Sequence, residues 1–103
     1  AGDVVAAAKA DDAEKLAEAN KKWHVNADEI AQFLSGANPQ NWPYELIQKM
    51  MYDHLALTTD ETVARLKKDW KLDVETFEKV FDEIMVMADD LTMGLARQFP
   101  AKF

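Results

Sequence analysis

"DDAEKLAEANKKWHVNADEIAQFLSGANP", residues 11–39, is the stretch on which the fold turns. Ala13, Leu16, Asn20, Trp23, Ala27, Ile30 and Leu34 follow one another at steps of three or four, the spacing of one face of an amphipathic helix. Strand-type alternation is absent. Gly36 reads as a C-terminal cap, and Pro39 cannot continue the hydrogen-bond ladder, so the helix is expected to stop there. Upstream, "AGDVVAAAKA" also favours helix, and two aspartates are only mildly unfavourable inside one. The pattern predicts one helix from about Gly2 to Ser35, with a break at Asp11 and Asp12 as the place where it would divide.

Downstream, Asn41 can cap a helix whose first turn holds Pro43, where proline's missing N–H is tolerated. Ile47, Met50, His54 and Leu57 share a face, widened by Leu46 and Met51. Thr58 and Glu61 then match the capping box T-x-x-E, which starts a new helix by satisfying two orphan backbone donors. From there Val63, Leu66, Trp70, Val74, Phe77, Phe81, Ile84, Ala88, Leu91 and Leu95 keep helical spacing as far as Pro100, with a bend near Leu72 where two steps of four adjoin. Glu61 with Arg65 and Glu75 with Lys79 stand in the favourable i, i+4 order. The expected architecture is an all-α antiparallel helical bundle, long, short, long. A short middle helix cannot cover two long neighbours, so apolar surface is left over. The chain starts in mid-pattern, Val4, Val5 and Ala8 already forming a stripe. We therefore expect a single helical domain over residues 1–103, a fragment of a longer bundle, completed by N-terminal helices or by self-association. Leu16, Trp23 and Ile30 are the expected interface.

Composition narrows the function classes. Of 103 residues, 49% are hydrophobic and 30% charged, with 3 Gly and 3 Pro, which suits a folded helical domain rather than disorder. A net charge of −7 argues against nucleic acid as a partner. Arg65, Lys67, Lys68 and Lys71 form the one basic cluster, broken by Asp69, and read as a solvated face. The absence of cysteine removes disulfides and thiolate chemistry and leaves the compartment open. No segment has the unbroken apolar length of a membrane span.

His54 is the strongest candidate for chemistry. On an apolar stripe, with Met50 one turn before, Asp53 beside it and Glu61 further on, its imidazole could ligate a metal or haem. The competing reading is a core histidine bonded to a carboxylate or carbonyl of a neighbouring helix. Di-iron bundles need Glu-x-x-His motifs, which do not occur. His24, next to Trp23, is expected to point to solvent. Met50, Met51, Met85, Met87 and Met93 cannot form one soft-metal box, since Met85 and Met87 face different sides. Trp23, Trp42 and Trp70 read as packing anchors, Trp42 pinning its loop to the bundle. Asp11 with Asp12, Asp28 with Glu29 and Asp89 with Asp90 diverge on a helix and read as solvated faces. Ser35, the one serine, lacks a nucleophile elbow.

Three strings, "KKWHVNADEIAQFLSGANPQNW", "YDHLALTTDETVARL" and "MADDLTMGLARQFPAKF", resemble the C-terminal two-thirds of a bacterial helical-bundle family whose members often carry the label acetylglutamate kinase. The resemblance implies an all-helical fold with further N-terminal helices. His24 and Phe81 depart from its pattern, which has Tyr and, in some relatives, His. Kinase activity does not follow from the residues, because phosphate-binding glycine loops and the strands that present them are missing here. The expectation is a non-enzymatic binding or interaction module, with a metal- or haem-binding bundle built on His54 as the alternative.

Overall fold

The computed structural model describes all residues 1–103. It is 85% helical without strands. Four helices follow in order: α1 (Gly2–Lys9), α2 (Ala13–Ala37), α3 (Tyr44–Leu66) and α4 (Trp70–Gln98), then a single 3₁₀ turn at Pro100–Lys102. No helix is long and apolar enough to cross a membrane.

Two of the breaks use the same local device. Asp11 takes a left-handed conformation at φ 55°, and the Asp12 carboxylate then accepts the Lys15 amide at 3.0 Å, capping α2. Lys68 repeats this at φ 58°, and Asp69 accepts the Leu72 amide at 3.1 Å to cap α4. The division at the two aspartates is thus realised, while the expected bend near Leu72 is a full break a few residues earlier.

The middle helix is longer than the sequence pattern implied. The T-x-x-E box does not start a helix, because α3 runs straight through it to Leu66. Thr58, Thr59 and Thr62 instead donate their hydroxyls to the carbonyls of His54, Leu55 and Thr58, at 2.7, 2.8 and 2.8 Å. A threonine inside a helix can satisfy itself on the preceding turn, and that local bond competes with its use as a cap. Other boundaries also move. Gly36 lies inside α2, whose C-cap is Asn38. Pro43 is itself the N-cap of α3, and Asn41 donates to the Asn38 side chain at 3.0 Å rather than capping the helix.

Side-chain pairs fix the directions of the long helices. His54 with Glu83 and Arg65 with Asp73 step forward along α3 as they step back along α4, so the two run antiparallel. Asp28 meets Gln48 and Tyr52 across α2 and α3 near the turn between them. α3 is the central helix, packed on α2 on one side and α4 on the other, and α1 lies against α2 and the far end of α3. The backbones of α2 and α4 do not pack on each other. The result is an all-α helical bundle, an open one with a Cα radius of gyration of 15.9 Å, larger than the roughly 13 Å of a compact chain this long.

Only 13 of 103 residues are buried, and Ile47, at 1% exposure, is the one large side chain fully enclosed. It sits with Ala31 and Trp42 at the α2–α3 turn, where Leu34, Met50, Met51 and Leu91 close over it. The buried residues of α2 are all alanines, Ala19, Ala27 and Ala31, small enough for neighbouring helices to approach closely.

Candidate functional site

α4 presents the face that the periodicity would have buried. Its enclosed residues are Asp73, Thr76 and Gly94, with Val80, Glu83, Met87 and Leu91 half-buried between them. This face is polar or small along much of its length, and Asp73 and Glu83 find partners on α3. Asp73 accepts from Arg65 Nη1 at 3.2 Å. Glu83 Oε2 lies 2.8 Å from His54 Nδ1. Gly94 leaves room for Trp42, whose Nε1 would stand 2.0 Å from a Cβ at that position.

The long apolar stripe lies about a quarter turn round the same helix, at about 100° per residue. Trp70, Val74, Phe77 and Phe81 are 58%, 59%, 55% and 53% exposed. Exposure falls toward the C-terminal half, where Ile84 and Leu95 are below 40% and Leu91 is half-buried. Trp70 is therefore not a packing anchor, whereas Trp42 is, donating to the Asp90 carbonyl at 3.2 Å. Met85 and Met93 are also exposed; Met50, Met51 and Met87 line a small apolar gap with Leu34, Ile47 and Leu91.

His54 is half-buried, its ring bonded to Glu83 on the neighbouring helix. The remaining Glu83 oxygen, Oε1, is buried without a partner. Met50 lines the apolar gap, Asp53 forms an exposed pair with Lys49, and Glu61 is half-buried on the turn after Thr58. No three His, Asp or Glu side chains come together in a way that could hold a metal ion. Leu16 and Trp23 are half-buried, and Ile30 is at the edge of exposure at 37%. Leu16 helps line a hollow of about 530 Å³ where α1 and the α1–α2 turn meet Val63 and Leu66.

A second polar centre went unread in the sequence. Asp28 Oδ1 accepts from Gln48 Nε2 and from the Tyr52 hydroxyl, both at 2.8 Å. Those two donors, Gln48 first, hold the Asp28 carboxyl below its ordinary value, and the charge of His24 adds to this. The same bond pushes the Tyr52 phenol up, since ionising it would break its donation to a carboxylate. His24 is half-buried rather than solvated: its Nδ1 donates to the Asn20 carbonyl at 2.8 Å and its ring stands edge-on to Tyr52. A possible signal was the repeat of polar residues, Gln48 and Tyr52, at helical spacing on an otherwise apolar stretch. Charge pairs also rearrange, Arg65 turning to Asp73 rather than Glu61, and Glu75 to Lys71 at 3.9 Å.

Compared with protein-family models, with curated proteins and with solved structures, the chain matches none.

Proposed function

We propose that this chain is a non-enzymatic interaction module, a helical bundle of the kind its three strings resemble, and that it works through the apolar stripe of α4. One observation carries the reading: α4 turns Asp73, Thr76 and Gly94 inward and leaves Trp70, Val74, Phe77 and Phe81 more than half exposed. Scattered apolar side chains are ordinary on a surface. A continuous aromatic stripe is not, and such patches mark sites where another surface docks. The polar contacts between helices, Arg65 with Asp73, His54 with Glu83 and Asp28 with Gln48 and Tyr52, read as ties that hold the fold, which supports a binding role over catalysis.

The test is the double variant Phe77→Glu with Phe81→Glu. It is expected to keep the helix content of the parent and to lose both its self-association and its enhancement of anilinonaphthalene sulfonate fluorescence. A parent chain that shows neither property would sink the reading.

Metal or haem binding at His54 keeps one supporting observation. A carboxylate on Nδ1 is the arrangement that orients a ligating imidazole through its other nitrogen. That reading predicts metal retained on purification, or a Soret band on adding haem, either of them lost in His54→Ala. Clean elemental analysis and an unchanged spectrum would remove it.

A further inference from the structure

Resting on the interaction-module reading, we infer that the occupant of the α4 stripe is a second copy of this chain, docked antiparallel about a two-fold axis passing between Val74 and Phe77. In antiparallel helix pairs with a three-four repeat, the two kinds of stripe position alternate across the seam. Of the registers this allows along Trp70 to Leu95, three place the axis beside the most exposed part of the stripe, Val74 to Phe81. An axis between Val74 and Phe77 sets Trp70 against Phe81 of the second copy and Val74 against its Phe77. An axis at Lys79 sets Phe77 against Phe81 and Val74 against Ile84. One between Asp82 and Glu83 sets Phe81 against Ile84 and Phe77 against Ala88.

Charge at the edge of the stripe separates them. The residues flanking it on the solvent side are Lys71, Glu78, Met85 and Thr92. In the first register Lys71 meets Glu78 of the second copy, and the two-fold axis makes that pair twice. In the second, Glu78 meets its own copy, a like-charge contact. In the third, Lys71 meets Thr92 and Glu78 meets Met85, and neither charge is answered. Steric access agrees with charge. The first register uses the four stripe side chains that are more than half exposed, whereas the third needs Leu91, half-buried beside Leu34 and Met87.

The area suffices. At about 150–250 Å² for a fully exposed aromatic side chain, Trp70, Phe77 and Phe81, with Val74 between them and Ile84 and Met85 just beyond the paired positions, present on the order of 500 Å² per copy. A standard interface buries about 800 Å² per partner, of which about 65% is apolar in homodimers, so the need is on the order of 500 Å². Geometry completes the case. The seam and the α3-facing side of α4 are about a quarter turn apart, so α3, α4 and their copies would stand at the corners of a four-helix bundle.

The experiment is sedimentation equilibrium on the full 103-residue chain, with circular dichroism to confirm that each variant folds. A mass of twice 11.7 kDa is expected. Lys71→Glu or Glu78→Lys alone should weaken the dimer about tenfold, two exposed ion pairs becoming two like-charge contacts, and the two together should restore it. Because the chain has no cysteine, Lys71→Cys and Glu78→Cys are clean reporters. Mixed, they should oxidise to a disulfide between unlike chains, while Glu78→Cys alone should not cross-link. Cross-linking of Glu78→Cys to itself would overturn the register. A monomer up to millimolar concentration would overturn the second copy as occupant. If that monomer still enhances the dye in a way that Phe77→Glu abolishes, the interaction face stands and only its occupant is wrong; if it does not, both fall.

Discussion

At the end of the molecule where α2 turns into α3, the chain is closed by bonds that reach across it; at the end where α3 turns into α4, almost nothing does. The closed end has Asn38 Nδ2 donating to the Gly94 carbonyl at 2.9 Å, Trp42 Nε1 to Asp90, and Gln98 Nε2 to the Ala37 carbonyl at 3.0 Å. It also holds Ile47, the most enclosed large residue. The open end has one side-chain tie between its two long helices, Arg65 with Asp73, and a row of aromatic residues facing outward. Hydrophobicity alone does not choose the buried face of α4. A handful of specific fits at one end, Trp42 against Gly94 above all, fix its rotation, and the aromatic stripe follows wherever that rotation puts it.

The comparison is most easily broken at Gly94. Alanine there has no room beside the Trp42 indole, so Gly94→Ala should destabilise by about 3 kcal/mol, even though alanine is the better helix former by about 1 kcal/mol. Urea unfolding measures it, and a neutral outcome would mean the clasp is looser than its geometry. Ile47→Ala should follow closely, at about 3 kcal/mol for an enclosed branched side chain. Next comes His54→Leu, expected to lose about 2 kcal/mol because it strips Glu83 of its one partner; a tolerated leucine would show that Glu83 reaches water. At the open end Phe77→Ala should change the stability of the isolated chain by less than about 0.5 kcal/mol, a surface effect for a residue larger than the enclosed Ile47.

A smaller effect sharpens the picture along α2 and α3. The folded Asp28 carboxyl is held below its ordinary 3.8. Its contribution is therefore present above about pH 4 and is lost as pH falls through the lowered value. Tyr52, raised above 10.0, works the other way, contributing below that value and losing it as pH rises further. Asp28→Asn should flatten the acid limb of a plot of urea midpoint against pH; an unchanged limb would assign acid sensitivity to other carboxylates.

Much of this organisation was legible in the residues. The helical repeat from Ala13 to Leu34 gave the class, the paired aspartates marked a break, Trp42 was recognisable as a loop anchor, and a carboxylate partner for His54 was one of its two readings. Other features could not be read locally. Thr58 offers its hydroxyl equally to a cap or to the turn before it, and only the continuation of α3 decides. Lys68 does not announce a left-handed turn as glycine would, so the α3–α4 break passed for a bend. Most instructive is α4: its strongest periodicity marks the face left free, because Asp73, Glu83 and Gly94 are valuable inside only with Arg65, His54 and Trp42 opposite them.

The clasp has a consequence for the order of assembly. α2 and α3 can zip together outward from the turn between them, and α3 and α4 from theirs, each pairing contacts close in sequence before distant ones. Asn38 and Gly94 are 56 residues apart and Gln98 and Ala37 are 61 apart, so the clasp must wait until the α3–α4 hairpin brings its far end up to the α2–α3 turn. The tightest part of the finished molecule is thus the last to form, and the loose end, where α3 meets α4, is where one of the two hairpins begins.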